Sequence, residues 1–323
     1  MTDDVKNSGD VQKTISIAIL TAGQPPKQLV EKYGGFEYML RNALAEALAN
    51  IPRHEWHPKI SLHLQAFNIM MAEFPDISQL DDGAWDAMVV TGSPSSATEE
   101  NSMWMQVLSK YLEHLVLEHP LVRIIGLGFG HQLVARAFGG KVVQDKHHAE
   151  FGITKFKLTN EGTGILSPFD HDTEWSLQQA HTDYVCDMPL PVEGDAWQSL
   201  GGNEKCPIQG LTLHYPTEAP PLPSSVKSSS YVAFDVEDIV TGASGPMPVR
   251  SAHVLTLQGH PEYNAAVMRD LLSHLRETGT VNETDYESAL SSINEEQRNL
   301  DTAKILLAML GMEPATAELE PMN

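Results

Sequence analysis

Apolar positions along the chain fall into two rhythms, and the change from one to the other outlines the fold. Residues 15–20 (Ile15, Ile17, Ala18, Ile19, Leu20) and 87–90 form short runs rich in β-branched side chains. Residues 123–127 do the same, and Ile60, Leu62 and Leu64 alternate with polar neighbours, so each of these stretches reads as a strand. Between them lie helical stripes. One covers residues 36–49 and another 99–117, where Trp104, Val107, Leu108, Tyr111, Leu112, Leu115 and Val116 recur at helical spacing as core positions. A third helix is expected at 133–138. Beyond Gly139-Gly140 the rhythm turns to β, with strands expected at 152–159, 174–179, 208–214, 231–236 and 253–258. The proline-rich stretch 215–225 reads as a surface loop, and helices near 264–277, 283–293 and 298–310 close the chain.

Alternating strands and helices in the first half predict an α/β fold, a doubly wound, mostly parallel sheet with helices on both faces, plus C-terminal helices. Residues 1–13 are polar and aperiodic and are expected to be a tail. Residues 14–280 are expected to form one domain, with 281–323 a helical extension packed on it. No internal repeat breaks this arrangement.

Composition narrows the functions available. The 323 residues carry 21 Lys+Arg against 43 Asp+Glu, a formal charge of −22, which disfavours nucleic acid and anionic membrane as partners. The N-terminal residues contain no apolar leader, and no run approaches the roughly 18 apolar residues of a membrane span. Two cysteines cannot build a disulfide framework, so a reducing, cytoplasmic location is expected. Metal candidates at sequence level are His147-His148 and His54 with His57. Neither is completed by a cysteine or carboxylate at ligand spacing, so no metal is expected. The glycines of 126–130 lack the continuation of a dinucleotide fingerprint, and no phosphate-cradling G-x-x-x-x-G-K-[ST] occurs, so no cofactor is expected either.

Three segments fall at the carboxyl ends of expected parallel strands, where open α/β sheets bind ligands: residues 91–96, 126–132 and 259–262. Residues 123–127 enter the next helix through glycines, as a nucleophile elbow does. In the last segment His260 and Glu262 flank a proline, so a carboxylate can hold one imidazole nitrogen while the other faces a reaction centre. The competing reading is an ordinary strand-ending turn with a solvated Glu262.

Taken together these residues resemble the class I glutamine amidotransferases. Gly126-Leu127-Gly128-Phe129-Gly130-His131-Gln132 is similar to their G-x-C-x-G-H-Q elbow, Thr91-Gly92-Ser93 to their oxyanion loop, and Gln258-Gly259-His260-Pro261-Glu262 to their Q-x-H-P-E end. Gly139-Gly140-Lys141-Val142, Glu150-Phe151-Gly152 and His181-Thr182-Asp183-Tyr184-Val185 resemble further family segments. The similarity spans roughly residues 15–310, nearest to stand-alone fungal-type members. It implies His260 and Glu262 as the catalytic pair, the N–H groups of Gly92 and Phe129 as oxyanion donors, and Ser93, Gln132, His181 and Asp183 as ligand-binding residues.

One position departs. Where the family has its nucleophilic cysteine, this chain has Gly128, which offers no nucleophile for glutamine hydrolysis. Cys186 and Cys206 are expected in loops, as inert thiols. The glycine is expected to relieve elbow strain and to leave a small void beside His260. Bland alternatives remain: Gln132 capping its own helix, His181 and Asp183 pinning a surface turn, and His131 a hydrogen-bonded core histidine. The implied partners are a small molecule, glutamine-like or another carbonyl compound, and a separate partner enzyme. Three functions compete: a non-hydrolysing binding protein, an enzyme of changed chemistry based on His260/Glu262, such as one of specialised metabolism, and a glutaminase inactivated by an introduced glycine.

Overall fold

The computed structural model describes residues 12–51, 59–223 and 248–312. The chain runs β1 (Gln12–Thr21), α1 (Lys27–Tyr33), α2 (Phe36–Ala49), β2 (Lys59–Asn68), α3 (Ile77–Asp81), β3 (Ala87–Val90), α4 (Met103–Glu118), β4 (Arg123–Leu127) and α5 (Phe129–Ala137). There follow β5 (Lys141–Gln144), β6 (Glu150–Leu158), α6 (Asn160–Leu166), β7 (Glu174–His181), β8 (Asp183–Asp187), β9 (Gln198–Gly202), β10 (Gly210–His214) and β11 (Ala252–Leu257). Three helices, α7 (Ala265–Glu277), α8 (Glu283–Ser292) and α9 (Asn299–Met309), complete it.

Nine strands form one sheet in the order β2-β1-β3-β4-β11-β10-β9-β6-β7. Pairings from β2 to β11 are parallel, and those from β11 to β7 antiparallel. The strand latest in sequence thus lies beside β4, and the residues after it arrive next to the elbow after β4. The short strands β5 and β8 pair separately.

The period-two pattern of β1 explains how both faces are covered. Ile15, Ile17 and Ile19 join Leu40 and Leu44 of α2 and Leu306 and Leu307 of α9 in one cluster. Ala18 and Leu20 join Met105, Leu108, Leu112 and Leu115 of α4 in another, on the opposite face. The last helices are part of the core: α9 shares a cluster with α2, and Met268 and Leu272 of α7 pack with Ala289 and Ile293 around α8.

Several expectations change. The third helix starts at Phe129, not 133, because Gly128 alone makes the turn. Cys186 lies in β8 rather than in a loop. β1 begins at Gln12, inside the expected tail. The helices α1, α3 and α6 and the strands β5, β8 and β9 were not legible, since five to seven residues are too few to display a helical period and four or five polar-flanked residues do not stand out as a strand. The expected strand at 231–236 and the metal candidates His54 and His57 lie outside the described residues. No helix among the described residues is long and apolar enough to cross a membrane.

Candidate functional site

The elbow is built by close backbone contact. β4 ends at Leu127 and α5 begins at Phe129, with Gly128 between them at φ 56°, ψ −111°. This is a conformation that side chains on L-residues disfavour, and glycine adopts it freely. The Gly128 N–H donates to the Leu257 carbonyl at 2.9 Å, fastening the turn to β11. Gly130 presses the first turn of α5 onto β3: a Cβ there would stand 2.2 Å from the Val90 carbonyl oxygen.

His260 follows β11 and is held on three sides. Its N–H donates to the Gln178 carbonyl at 2.9 Å, its Nδ1 pairs with Glu262 Oε1 at 2.7 Å, and its ring stacks on Tyr263 with centroids 4.2 Å apart and planes 6° from parallel. A carboxylate at Nδ1 assigns the proton to that nitrogen and leaves Nε2 as the free base. Both side chains are buried, which sets aside the solvated reading of Glu262. Burial raises the Tyr263 phenol well above its ordinary range, so the stacking partner stays neutral.

The expected void beside His260 is absent. A Cβ on Gly128 would lie 2.4 Å from His260 Cε1 and 2.6 Å from Nε2, and one on Gly92 would lie 3.0 Å from Cε1. With no side chain at either glycine, the imidazole closes against both backbones. Gly128, Gly92 and His260 therefore meet at one point, with Nε2 turned to the elbow. Phe129 opens α5, where a helix leaves its first N–H groups without intrahelical acceptors, so the geometry is compatible with oxyanion donation from there. Ser93 Oγ accepts from the Ser95 N–H at 3.1 Å.

The other expected ligand-binding residues already have partners. Gln132 does not cap its helix: its amide donates to the Asp183 carbonyl at 2.7 Å and to Gln258 Oε1 at 3.0 Å. Asp183 is buried rather than on a surface turn, and accepts from Ser96 Oγ, from the Ala97 N–H at 3.0 Å and from Gln144 at 2.8 Å. It ties β8 to the loop after β3. His181 pairs through Nε2 with Glu150 Oε2 at 3.0 Å, and Glu150 also accepts from Gln209 at 2.6 Å and Asn203 at 2.7 Å. Gln209, Asn203 and Tyr263 carried no sequence signal. Their roles arise from β9, β10 and the turn after β11 coming together.

His131 is the hydrogen-bonded core histidine of the simpler reading. Nδ1 lies 2.8 Å from Thr256 Oγ1 and Nε2 3.1 Å from the Ile208 carbonyl, and burial pushes the imidazole down to about 3. His253, bonded to the Val122 carbonyl at 3.2 Å, is pushed down to about 4, by burial first and then by Arg123. For a histidine whose folded value lies below its unfolded value of about 6.5, the unfolded chain takes up the proton first as pH falls. Stability present above pH 6.5 is therefore lost below it, by about 1.4 kcal/mol per pH unit for each residue. Urea midpoints measured from pH 7 to pH 4.5 are expected to show this slope. His253→Phe, if it folds, is expected to reduce it by about one proton's worth.

Neither thiol reaches the elbow. Cys206 is buried in the turn after β9, its acidity suppressed by burial and then by Glu150, and Cys186 is likewise pushed up by burial and Asp187. His148 is committed to the Lys205 carbonyl and stacks on Tyr184.

No family model matches the chain. It is 26% identical over 278 residues to a protein of Schizosaccharomyces pombe described as glutamine amidotransferase-like, covering 85% of this chain and 90% of the relative. It is 24% identical over 286 residues to gamma-glutamyl peptidase 2 of Arabidopsis thaliana, covering 87% and 90% respectively. Among solved structures, a glutamine amidotransferase from Thermotoga maritima superposes with a TM-score of 0.55 at 15% identity, covering 94% of this chain and 97% of the other. One from Methylobacillus flagellatus superposes with a TM-score of 0.55 at 17% identity, covering 97% and 100%. The fold is that of the class I glutamine amidotransferases.

Proposed function

We propose that this chain binds a glutamine-like or γ-glutamyl small molecule at the ends of β3, β4 and β11 without hydrolysing it through a thiolate. The observation that carries this reading is Gly128 at the elbow, with the His260 ring lying where a nucleophile's Cβ would project. Thioester chemistry needs a sulfur at that point, and Cys186 and Cys206 are in strand β8 and in the buried turn after β9. The names borne by its relatives, glutamine amidotransferase-like protein and gamma-glutamyl peptidase, support the ligand class. The carboxamide group of such a ligand would lie at the edge of the closed contact among His260, Gly92 and Gly128. A partner enzyme that receives or supplies this ligand belongs to the same reading.

The expected outcome is release of neither ammonia from glutamine nor amine from a γ-glutamyl dipeptide, while one of the two ligands raises the melting temperature. Turnover that disappears in His260→Ala would sink the binding reading. It would favour the second one, in which His260, oriented by Glu262 at 2.7 Å, acts as general base on water.

A further inference from the structure

We propose that Glu150, His181 and Cys206 form a binding site for one divalent transition-metal ion, with Zn²⁺ the best match to this donor set. The three ligand atoms lie within 4.8 Å of one another, and all three residues are buried. Glu150 begins β6 and His181 ends β7, and the two are direct cross-strand partners, so their side chains leave the same face of the sheet. Cys206 comes from the turn between β9 and β10. Sequence spacing hides the group, because the first two ligands alone are 31 residues apart.

The surroundings are organised for it. Asn203 Oδ1 accepts from the Cys206 N–H at 2.8 Å, while Asn203 Nδ2 donates to Glu150 Oε1 at 2.7 Å, so one side chain positions two ligands. Gln209 holds Glu150 Oε2 at 2.6 Å. Such outer partners commonly orient metal ligands. The carboxylate and imidazole are already 3.0 Å apart. Two neighbouring ligands of a tetrahedral zinc, each about 2.0–2.1 Å from the metal, stand roughly 3.3 Å apart. The Cys206 thiol lies within 4.8 Å of both the carboxylate and the imidazole, so a modest inward movement brings it to a zinc–sulfur bond of about 2.3 Å.

Charge points the same way. Glu150 is buried, and its donors are two neutral amides and an imidazole; among the described residues its only ion-pair partner is His181. A dication bound by a carboxylate and a thiolate is neutral overall, which suits a buried place. His181 also keeps Nδ1 buried without a hydrogen-bond partner, so the ring uses only one nitrogen.

Binding breaks the Cys206 S–H bond. The proton leaves to solvent, and the sulfur electron pair forms the bond to the metal, with no change in oxidation state. His181 coordinates through Nε2 only after giving up the hydrogen bond it donates to Glu150: the neutral ring changes tautomer so that its one proton sits on Nδ1, and the Nε2 lone pair and the carboxylate oxygen both face the ion. The bound ion would join the ends of β6 and β7 to the β9–β10 turn, independently of what the elbow binds.

The test uses the full-length protein, stripped with a chelator and titrated with Co²⁺, with Zn²⁺ content measured in parallel. One ion per chain is expected, together with a thiolate-to-cobalt charge-transfer band in the near ultraviolet. Cys206→Ser is expected to abolish that band, and Glu150→Gln to weaken binding at least tenfold. Three results would overturn the site: no stoichiometric ion in the unaltered protein, a cobalt spectrum without the thiolate band, or a band that survives in Cys206→Ser and so belongs to Cys186. The first two need no variant, so a substitution that fails to fold does not shield the proposal.

Discussion

Installing a thiol at the elbow, Gly128→Cys, is expected to destabilise the protein by about 2–6 kcal/mol and to leave glutamine uncleaved. Two costs add. A side chain at φ 56°, ψ −111° stores strain of about 1–3 kcal/mol, and inserting a Cβ 2.4 Å from the His260 ring adds overpacking of about 1–3 kcal/mol. The ring cannot simply step aside, because the 2.7 Å bond to Glu262 and the stack on Tyr263 hold it in place. A nucleophile also works only at hydrogen-bond reach of its base, not in collision with it. Comparing Gly128→Cys in the natural background and in His260→Ala separates the two costs: only the strain should remain once the ring is gone. If Gly128→Cys matched the parent in stability and released ammonia from glutamine, the closed imidazole would be an unimportant feature of the site.

Gly130→Ala is expected to cost above about 4 kcal/mol, a large share of the whole stability of a folded domain. Its Cβ would meet a backbone oxygen, that of Val90, at 2.2 Å, with the Val90 carbonyl carbon at 2.9 Å behind it. A flexible side chain could turn away, but a strand at the centre of a parallel sheet cannot. Relief would require α5 to lift from β3, which would also carry Gly128 and Phe129 away from His260 and reduce ligand binding. The checks are the yield of soluble protein and the urea midpoint. A folded Gly130→Ala variant within 1 kcal/mol of the parent would show that α5 sits less tightly on the sheet than 2.2 Å implies.

Much of the parallel half was legible. The strand at 87–90 and the one at 123–127 coincide with β3 and β4, and the helical stripe at 36–49 coincides with α2, because long or unbroken apolar patterns encode both element type and burial. His260 and Glu262 stood out as a candidate pair beside the alternative of a solvated Glu262, and the buried 2.7 Å bond decided between the two. The antiparallel half was harder. β5, β8 and β9 have mixed burial and only four or five residues each, and the β5–β8 and β6–β9 pairings join segments distant in sequence.

The site divides in the same way. Residue type alone decided that position 128 carries no nucleophile, and the glycine-rich hinge already announced an elbow. Whether that glycine leaves space depended on where a ring from β11, more than a hundred residues later, comes to rest, and it rests against the backbone. The hydrogen-bond partners of Gln132 and Asp183 likewise come from β8, from the residue just after β11 and from the loop after β3. The cluster of Glu150, His181 and Cys206 exists only because antiparallel pairing sets β6 against β7 and a turn folds under them. Local pattern, then, determined the elements and their chemistry, because periodicity and residue type act over a few residues. Tertiary packing decided distances and free space, because these depend on contacts between segments that the chain brings together only on folding.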